Sequence, residues 1–446
     1  MGAEPVANAP LLTESTTLEG IDASNGLRLL GELVDDVVWL DRTDSMISAF
    51  GHRTPWLRHA MVSALYPTAG DAPIAESRRG ARSRSMAVAF APEEGDHAIT
   101  WAAAHGRRLL AAPKPVTARA ADKIDALEVF STAGVPVPEY VLIPAHGRRP
   151  ARAYWPGHWT EAVLQRRENN LIGRGTLRVC THHELERQLR AWDGHALKLS
   201  RLVPGLSLTV SACVGGDRTV VSALSHQLVG LPELTPGWGM HCGNQLIGPA
   251  DLPAGLYDTA RDAARAVGET LRERGYRGVF GLDLLHNDRT VLAVEINPRF
   301  QAVTSLVQAA EQATALLPSL GLHILACLLP SLPPPRTATT PVPALSQIVL
   351  HADRPAFIEA VPPQGLYRKA EGHLHGPFPI SAPLTELKPD EALWWPQIRP
   401  GPTRSGDELL TLQTNGRLSP LTSRTPLGPT GRTWTQHLQH ALRNRP

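Results

Sequence analysis

The chain has 446 residues, 42% of them hydrophobic and 19% charged, with a formal net charge of +2. Such a length exceeds what one core serves and implies two or three lobes, while the small net charge speaks against a disordered chain or a nucleic-acid partner. Cys180, Cys213, Cys242 and Cys327 stand far apart without a Cys-x-x-Cys pair, which points to a reducing, cytoplasmic setting rather than a disulfide framework. No apolar run reaches the roughly 20 residues that span a bilayer, and the opening MGAEPVANAPLLTESTTLEG carries acids but no base, unlike a signal peptide. No membrane partner is expected.

Residues 1 to about 25 lack apolar periodicity and read as a leader, loose or docked. DVVWLD (36–41), RSMAVAF (84–90) and RLLAAP (108–113) read as short buried strands of an open α/β lobe ending near residue 115. That lobe has no Gly-x-Gly-x-x-Gly turn, so it is not a dinucleotide domain. ADKIDALEVFSTAG (121–134) predicts an amphipathic helix capped by Asp122 and stopped by Gly134. Strands follow at VPVPEYVLI, AVLQRR (162–167), ALKLS (196–200), SLTVSACV (207–214) and TVVSALSHQLV (219–229), with a helix at HHELERQLRAW (182–192). Residues 140 to about 205 thus form a small α+β lid within a domain running from 116 to 330. A long helix over 256–274 leads into GVFGLDLLHNDRTVLAVEINPRF, two apolar strands joined by a polar turn. Helices near 301–316 and up to 328 precede PSLPPPRTATTPVP (330–343), a proline-rich linker, and residues 344–446 read as a β-rich third domain.

The hairpin carries the chemistry. Glu295 and Asn297 are two residues apart and share a face of their strand, while Val294 and Ile296 turn to the core. With Asp283 on the neighbouring strand they form a set of hard oxygen ligands suited to one or two Mg²⁺ ions against nucleotide phosphates, with Mn²⁺ as a substitute. Arg299 is placed to reach acyl-phosphate oxygens in the same cluster. The plainer reading makes Asp283 and Glu295 solvent-facing residues of a half-exposed hairpin. Register decides between them. Residues opposite one another in an antiparallel pair have a constant numerical sum, and Asp283 and Glu295 share a face in a regular ladder only when that sum is even. A three-residue turn over Asn287, Asp288 and Arg289, with His286 opposite Thr290, satisfies this. A two-residue turn at Asn287 and Asp288 would separate the carboxylates unless a bulge resets the register.

GVFGLDLL and VLAVEINPR together resemble the signature of the ATP-grasp superfamily, and ADKIDALEVFSTAGVPVPEY resembles the segment by which such enzymes enter their nucleotide site. The resemblance covers about residues 105–325. It implies an ATP-grasp fold, α/β and α+β in class, with an N-terminal open α/β domain and a C-terminal β-rich domain. By resemblance Lys123 contacts phosphate. Only five of the 44 basic residues are lysine, which singles Lys123 out from the arginines, although a helix-surface lysine is the bland alternative. IGRGT (172–176), with Gly173, Gly175 and Thr176, resembles the lid loop whose N–H groups close over phosphates. KLSRLVPGLSLTV (198–210), with Leu202 and Val203, resembles the hinge whose backbone reads the adenine edge.

Two departures stand out. Where many members carry a lysine on the strand before the glycine loop, this chain offers Gln165 or Arg167, and Lys198 is a candidate replacement for the charge. Where many carry a ribose-binding glutamate after the hinge glycine, Ser207 follows Gly205. Between lid and hairpin, SHQLVGLPELTPGWGMHCGNQLIGP (225–249) offers His226, Gln227, His241 and Asn244 as acceptor-site candidates. A zinc site from His226, His241 and Cys242 lacks the usual compact ligand pair. The resemblance implies an ATP- and Mg²⁺-dependent ligase that joins an amino-acid-like carboxylate to an amine through an acyl phosphate, a homodimer being compatible with it. A biotin-carboxylase-like enzyme activating bicarbonate and an ATP-binding regulatory protein without turnover are the rivals.

Overall fold

The computed structural model describes residues 17–40, 85–93, 96–168, 173, 175–287, 290–421 and 427–443. β1 (Leu18–Gly20) and α1 (Ala23–Leu33) open the chain, followed by β2 (Asp36–Leu40), β3 (Ser85–Ala89), α2 (His97–Ala104) and β4 (Arg108–Leu109). β2, β3 and β4 pair in parallel, as the first lobe's sequence predicts, although the apolar run RLLAAP contributes just two residues to the ladder. The leader is not loose over its last part. Leu18–Gly20 pairs antiparallel with β14 (Arg336–Ala338) inside the proline-rich linker, and Leu18 is fully buried.

The helix expected over 121–134 is present only as α4 (Ala126–Thr132), and Ala121 instead ends a preceding helix, α3 (Lys114–Ala121). The break follows from Asp122, whose carboxylate accepts from the backbone N–H of Ile124 at 2.8 Å and Asp125 at 2.9 Å and folds Asp122–Asp125 into a turn. The N-cap of the helix that follows is Asp125, without a side-chain cap bond, and not the expected Asp122, and Lys123 is left in the turn.

β5 (Tyr140–Ile143), β6 (Ala162–Arg166), β7 (Thr176–Val179) and β8 (Leu197–Arg201) form a four-stranded lid sheet in the order β5-β8-β6-β7. The helix α5 (His182–Ala191) covers one of its faces, burying Leu185 and Leu189 in a small core with Leu164, Leu197 and Leu199. Next come β9 (Leu206–Val214), β10 (Thr219–Val229), β11 (His241–Ile247), α6 (Leu256–Glu273) and the hairpin β12 (Gly278–His286) and β13 (Val291–Asn297). α7 (Thr304–Ala313) and α8 (Ser319–Leu328) follow. α6 buries Leu256, Ala260, Ala264, Val267 and Leu271, one stripe at helical spacing, against one face of β9, β10, β12 and β13.

The remaining strands are β15 (Leu345–His351), β16 (Ala356–Ile358), β17 (Gly365–Ala370), β18 (His373–Phe378), β19 (Glu391–Pro396), β20 (Gly401–Thr403) and β21 (Glu408–Asn415), before α9 (Pro429–Arg443). The third region does not build a separate sheet from its long strands. β15 pairs with β11, giving one ten-stranded antiparallel sheet in the order β13-β12-β9-β10-β11-β15-β21-β19-β17-β18. Its far half is covered on one face by α9 around Trp394 and Trp434, and on the other by α7 around Trp395.

Candidate active site

The hairpin register has the even sum required, reached by a route the turn alone would not give. Near the turn His286 lies opposite Val291 and Leu284 opposite Ala293, an odd sum, and the Asn287 N–H donates to the Thr290 carbonyl at 3.2 Å. A bulge then shifts the ladder, so that Asp283 lies opposite Glu295 and Gly281 opposite Asn297. The extra residue is Val294, which is half-buried at the bulge rather than a core residue like Ile296. The expected partner of His286, Thr290, belongs instead to the turn, while Asp288 and Arg289 lie outside the described residues. A bulge of this kind turns a side chain to the other face of the strand. Here it brings the two carboxylates together.

Around them the polar contacts are dense. Asp283 Oδ1 accepts from Thr209 Oγ1 at 2.7 Å and its Oδ2 from Asn297 Nδ2 at 3.0 Å. Arg299 donates to Asn297 Oδ1 at 2.9 Å and to the Phe300 carbonyl at 3.1 Å. Lys123 Nζ lies 3.4 Å from Glu295 Oε2, with the lysine side chain only 4% exposed. It is a buried cation facing a carboxylate and not a helix-surface lysine. Lys198, equally buried, stands directly opposite Gln165 across the β6–β8 pair. The cleft's charges shape one another. Burial pushes Asp283 up to about 6, and the Glu295 charge adds to it. Burial acts upward on Glu295 as well, yet the charges of Lys123, Arg299 and Lys198 together hold it below the usual carboxylate range. Burial lowers Lys198 to about 8 against the pull of Glu295, with Lys123 adding to the fall. Two opposed carboxylates, Asp283 buried and driven toward protonation and Glu295 half-buried, with an amide beside them, make a donor set of hard oxygens that fits a divalent cation. Among the described residues no group of three or more His, Cys, Asp or Glu side chains is placed to hold a metal. The set rests on Asp283, Glu295 and the Asn297 amide, whose Nδ2 is the atom now turned to Asp283.

Besides Thr209, which bonds to Asp283, two side chains at the site had escaped the sequence. Glu93, just beyond β3, has a side chain 3% exposed and forms an ion pair with Arg299, Nε to Oε1 3.0 Å. Gln301 lies over Gly281, where a Cβ would stand 1.8 Å from its Oε1, so the second glycine of GVFGLDLL makes room for it. Their signals were slight: an acid after a Pro at a strand end, and a Gln just beyond NPRF.

The other candidates divide. Ser207 Oγ donates to Gln227 Oε1 at 2.9 Å, and Asn244 pairs opposite Gln227, so these three share a face of the sheet with Thr209 and Asp283. His241 Nε2 and Asn244 Oδ1 are 2.6 Å apart. Burial lowers the His241 pKa against that bond, and Arg299 lowers it further. His226 is a correction. It alternates with Gln227, is fully buried on the opposite face, and accepts at Nδ1 from Gln245 Nε2 at 3.2 Å. Cys242 is likewise buried and donates to the Leu228 carbonyl, so the zinc reading has no support. Arg167 is held by Asp122 and Asp125, clamping the Lys123 turn to the lid, and the Lys123 N–H donates to its carbonyl at 3.0 Å. Gln165 Nε2 reaches Thr176 Oγ1 at 3.4 Å, and the Gly175 carbonyl accepts from the Arg166 N–H. Gly173, at φ 74°, packs so closely on the Gly239 carbonyl that a Cβ would stand 2.3 Å from it. At the hinge the Leu202 N–H is taken by the Glu161 carbonyl, and Val203 is half-buried beside it.

The ATP-grasp domain family model matches residues 120–303. The chain carries an ATP-grasp domain. Similar solved structures share the fold at low identity. Phosphoribosylamine–glycine ligase from Thermotoga maritima is 14% identical, covering 91% of this chain and 96% of its own, with a TM-score of 0.56. N5-carboxyaminoimidazole synthase from Aspergillus clavatus, in complex with ADP and 5-aminoimidazole ribonucleotide, is 13% identical over 92% and 99%, with a TM-score of 0.55. L-amino acid ligase from Bacillus licheniformis is 11% identical over 80% of each chain, with a TM-score of 0.51. Among curated proteins no sequence matches. None of the described helices is long and apolar enough to cross a membrane.

Proposed function

We propose that this ATP-grasp protein is an ATP-dependent carboxylate–amine ligase. The observation that carries the reading is the charge cluster at the hairpin: Asp283 opposite Glu295, with Lys123 3.4 Å from Glu295 and Arg299 bonded to Asn297. The fold's likeness to a phosphoribosylamine–glycine ligase, an L-amino acid ligase and a synthase with ADP bound supports it. Phosphoryl transfer asks the protein for positioning and charge rather than a nucleophile, and this cluster supplies both.

In the proposed reaction a substrate carboxylate oxygen attacks the γ phosphorus of ATP, and the bond to the β-phosphate oxygen breaks to release ADP. An amine then attacks the acyl phosphate carbon and phosphate leaves. Mg²⁺, or Mn²⁺ in its place, would be held by Asp283, Glu295 and Asn297 and would neutralise phosphate charge during transfer. Lys123 and Lys198 face the phosphates, Arg299 neutralises the acyl phosphate, and Gly173, Gly175 and Thr176 close the lid loop. Leu202, Val203 and Ser207 take the adenine and ribose side, with Gln165 and Arg167 in support. Gln227, His241 and Asn244 line the acceptor region. The test is a screen of amino acids singly and in pairs with MgATP, following phosphate release and nucleotide products by chromatography. ADP and phosphate are expected. AMP and pyrophosphate would remove this mechanism.

A further inference from the structure

Glu311 on α7 carries a carboxylate that the proposed reaction does not use, and it is 1% exposed. Three donors meet it: Ser222 Oγ from β10 at 2.6 Å, and the N–H and Oγ of Ser319, the first residue of α8, at 2.7 Å and 2.8 Å. The bonds from Ser319 have a structural reason. Pro318 precedes α8 and its side chain caps nothing, so Glu311 supplies the cap. The bond from Ser222 is no part of that cap. Among the described residues no Lys, Arg or His forms an ion pair with Glu311. Burial pushes it up to about 7 against the bonds from Ser222 and Ser319. A buried carboxylate without a cation is costly.

Both serines also line a cavity of about 20 Å³, whose other polar residues are Ser211, Arg299, Gln301 and Thr304. That is room for one particle of water's size. Ser222 and Ser319 give their hydroxyl protons to Glu311, which leaves the lone pairs on Oγ for an electron-poor guest. Arg299, also on the wall, is paired with Glu93. We propose that this cavity binds a monovalent cation of the size of K⁺, with Ser222 and Ser319 as oxygen ligands and Glu311 behind them as the balancing charge. One carboxylate balances a single positive charge, and Mg²⁺ would in addition keep several waters for which there is no room. Water of the same size would leave the carboxylate uncompensated. Arg299, Gln301 and Thr304 follow directly on the hairpin, so a cation in this place braces the arginine that the proposed reaction sets against the acyl phosphate. It acts as an activator and not as a reactant.

The experiment compares wild type, E311Q and S222A in KCl and in the chloride of N-methyl-D-glucamine, a cation too large for the cavity, at equal ionic strength. K⁺ should raise the unfolding temperature of wild type by about 2 °C or more. It should also raise ADP release, with MgATP and a productive pair of amino acids, about fivefold or more. NH₄⁺, of like size, should replace K⁺, and Li⁺ should not. E311Q should lose both responses. S222A, which keeps the cap on α8, should need about tenfold more K⁺ for the same rise, and it decides the matter if E311Q does not fold. An equal rise in Li⁺ and K⁺ would reveal screening of surface charge, an unchanged unfolding temperature would leave the cavity to water, and a K⁺ response kept in full by the folded variants would place the ion elsewhere. Each of these overturns the inference. The unfolding temperature needs no substrate, so a wild type that releases no ADP refutes the ligase reading and leaves the cation site to be decided by that measurement.

Discussion

The hairpin and the lid both bring charge to Glu295, and they do so differently. On the hairpin Asp283 and Asn297 have short, direct partners: Thr209 and Asn297 on Asp283, Arg299 on Asn297. In the lid the strand that leads into the glycine loop carries Gln165, and the lysine comes from the neighbouring strand, Lys198 directly across the ladder. Opposite side chains in an antiparallel pair stand about 5 Å apart on the same face, so a cation can move from one strand to the next and still reach one place. The hairpin allows no such freedom, because a carboxylate moved by one residue would face α6 and the core.

If the comparison is right, the largest effect belongs to the hairpin. Glu295→Gln should lower ADP release at least about a hundredfold, since it removes a metal charge from the transfer step, and should leave the thermal unfolding temperature close to that of wild type. Full turnover by the purified variant would break the assignment of Glu295 to the metal.

The lid should be more forgiving, and can be tested by moving the charge back. Lys198→Gln should raise the KM for ATP about tenfold or more, the worth of one charge-assisted contact. Adding Gln165→Lys should recover much of that loss, because the new ammonium stands across the same pair. A double variant no better than Lys198→Gln would show that the place on β8 matters beyond its charge.

A smaller loss should follow from Gly281→Ala. The added Cβ meets the mobile amide end of Gln301 at 1.8 Å and not backbone, so the chain can yield by swinging Gln301 away. Turnover is expected to drop severalfold with little change in unfolding temperature. A large loss of stability instead would make Gly281 a packing residue and detach Gln301 from the reaction.

These cases also mark what could be read from the sequence. Alternation in VLAVEINPR gave the shared face of Glu295 and Asn297, and parity gave the condition for Asp283, both local rules of a strand. How the condition is met could not be read, because the bulge at Val294 follows from packing on both faces of the hairpin. Asp122 was read as a cap, whereas its bonds to Ile124 and Asp125 make the turn that carries Lys123 to Glu295, and the Arg167 clamp on that turn comes from far along the chain. Glu93 was illegible for a like reason: its ion pair joins it to a residue about two hundred positions later. The continuous sheet was hidden too, because edge pairing between β11 and β15 leaves no pattern in either strand alone.

The smallest effect separates the faces of the sheet themselves. His226 and Gln227 are neighbours on β10, and their side chains leave it on opposite sides. Burial, with the Arg417 charge adding to it, lowers His226 from 6.5 to about 4. A histidine depressed in this way is neutral in the folded protein, while the unfolded chain takes up a proton once the pH drops below about 6.5. The stability that neutrality contributes is therefore present above that pH and is lost as the pH falls toward 4, at about 1.4 kcal/mol per pH unit for one proton. His226→Gln keeps an acceptor for Gln245 and has no ring to protonate. Its unfolding temperature should fall less steeply between pH 6.5 and pH 4 than that of wild type, with His323, also lowered to about 4, retaining part of the slope in both. The kcat and KM at pH 7.5 should be unchanged, because the side chain faces away from Asp283, whereas Gln227→Ala should alter the KM for ATP or an acceptor. A change in KM for His226→Gln as large as that for Gln227→Ala would place both residues in the cleft and break the division between the two faces.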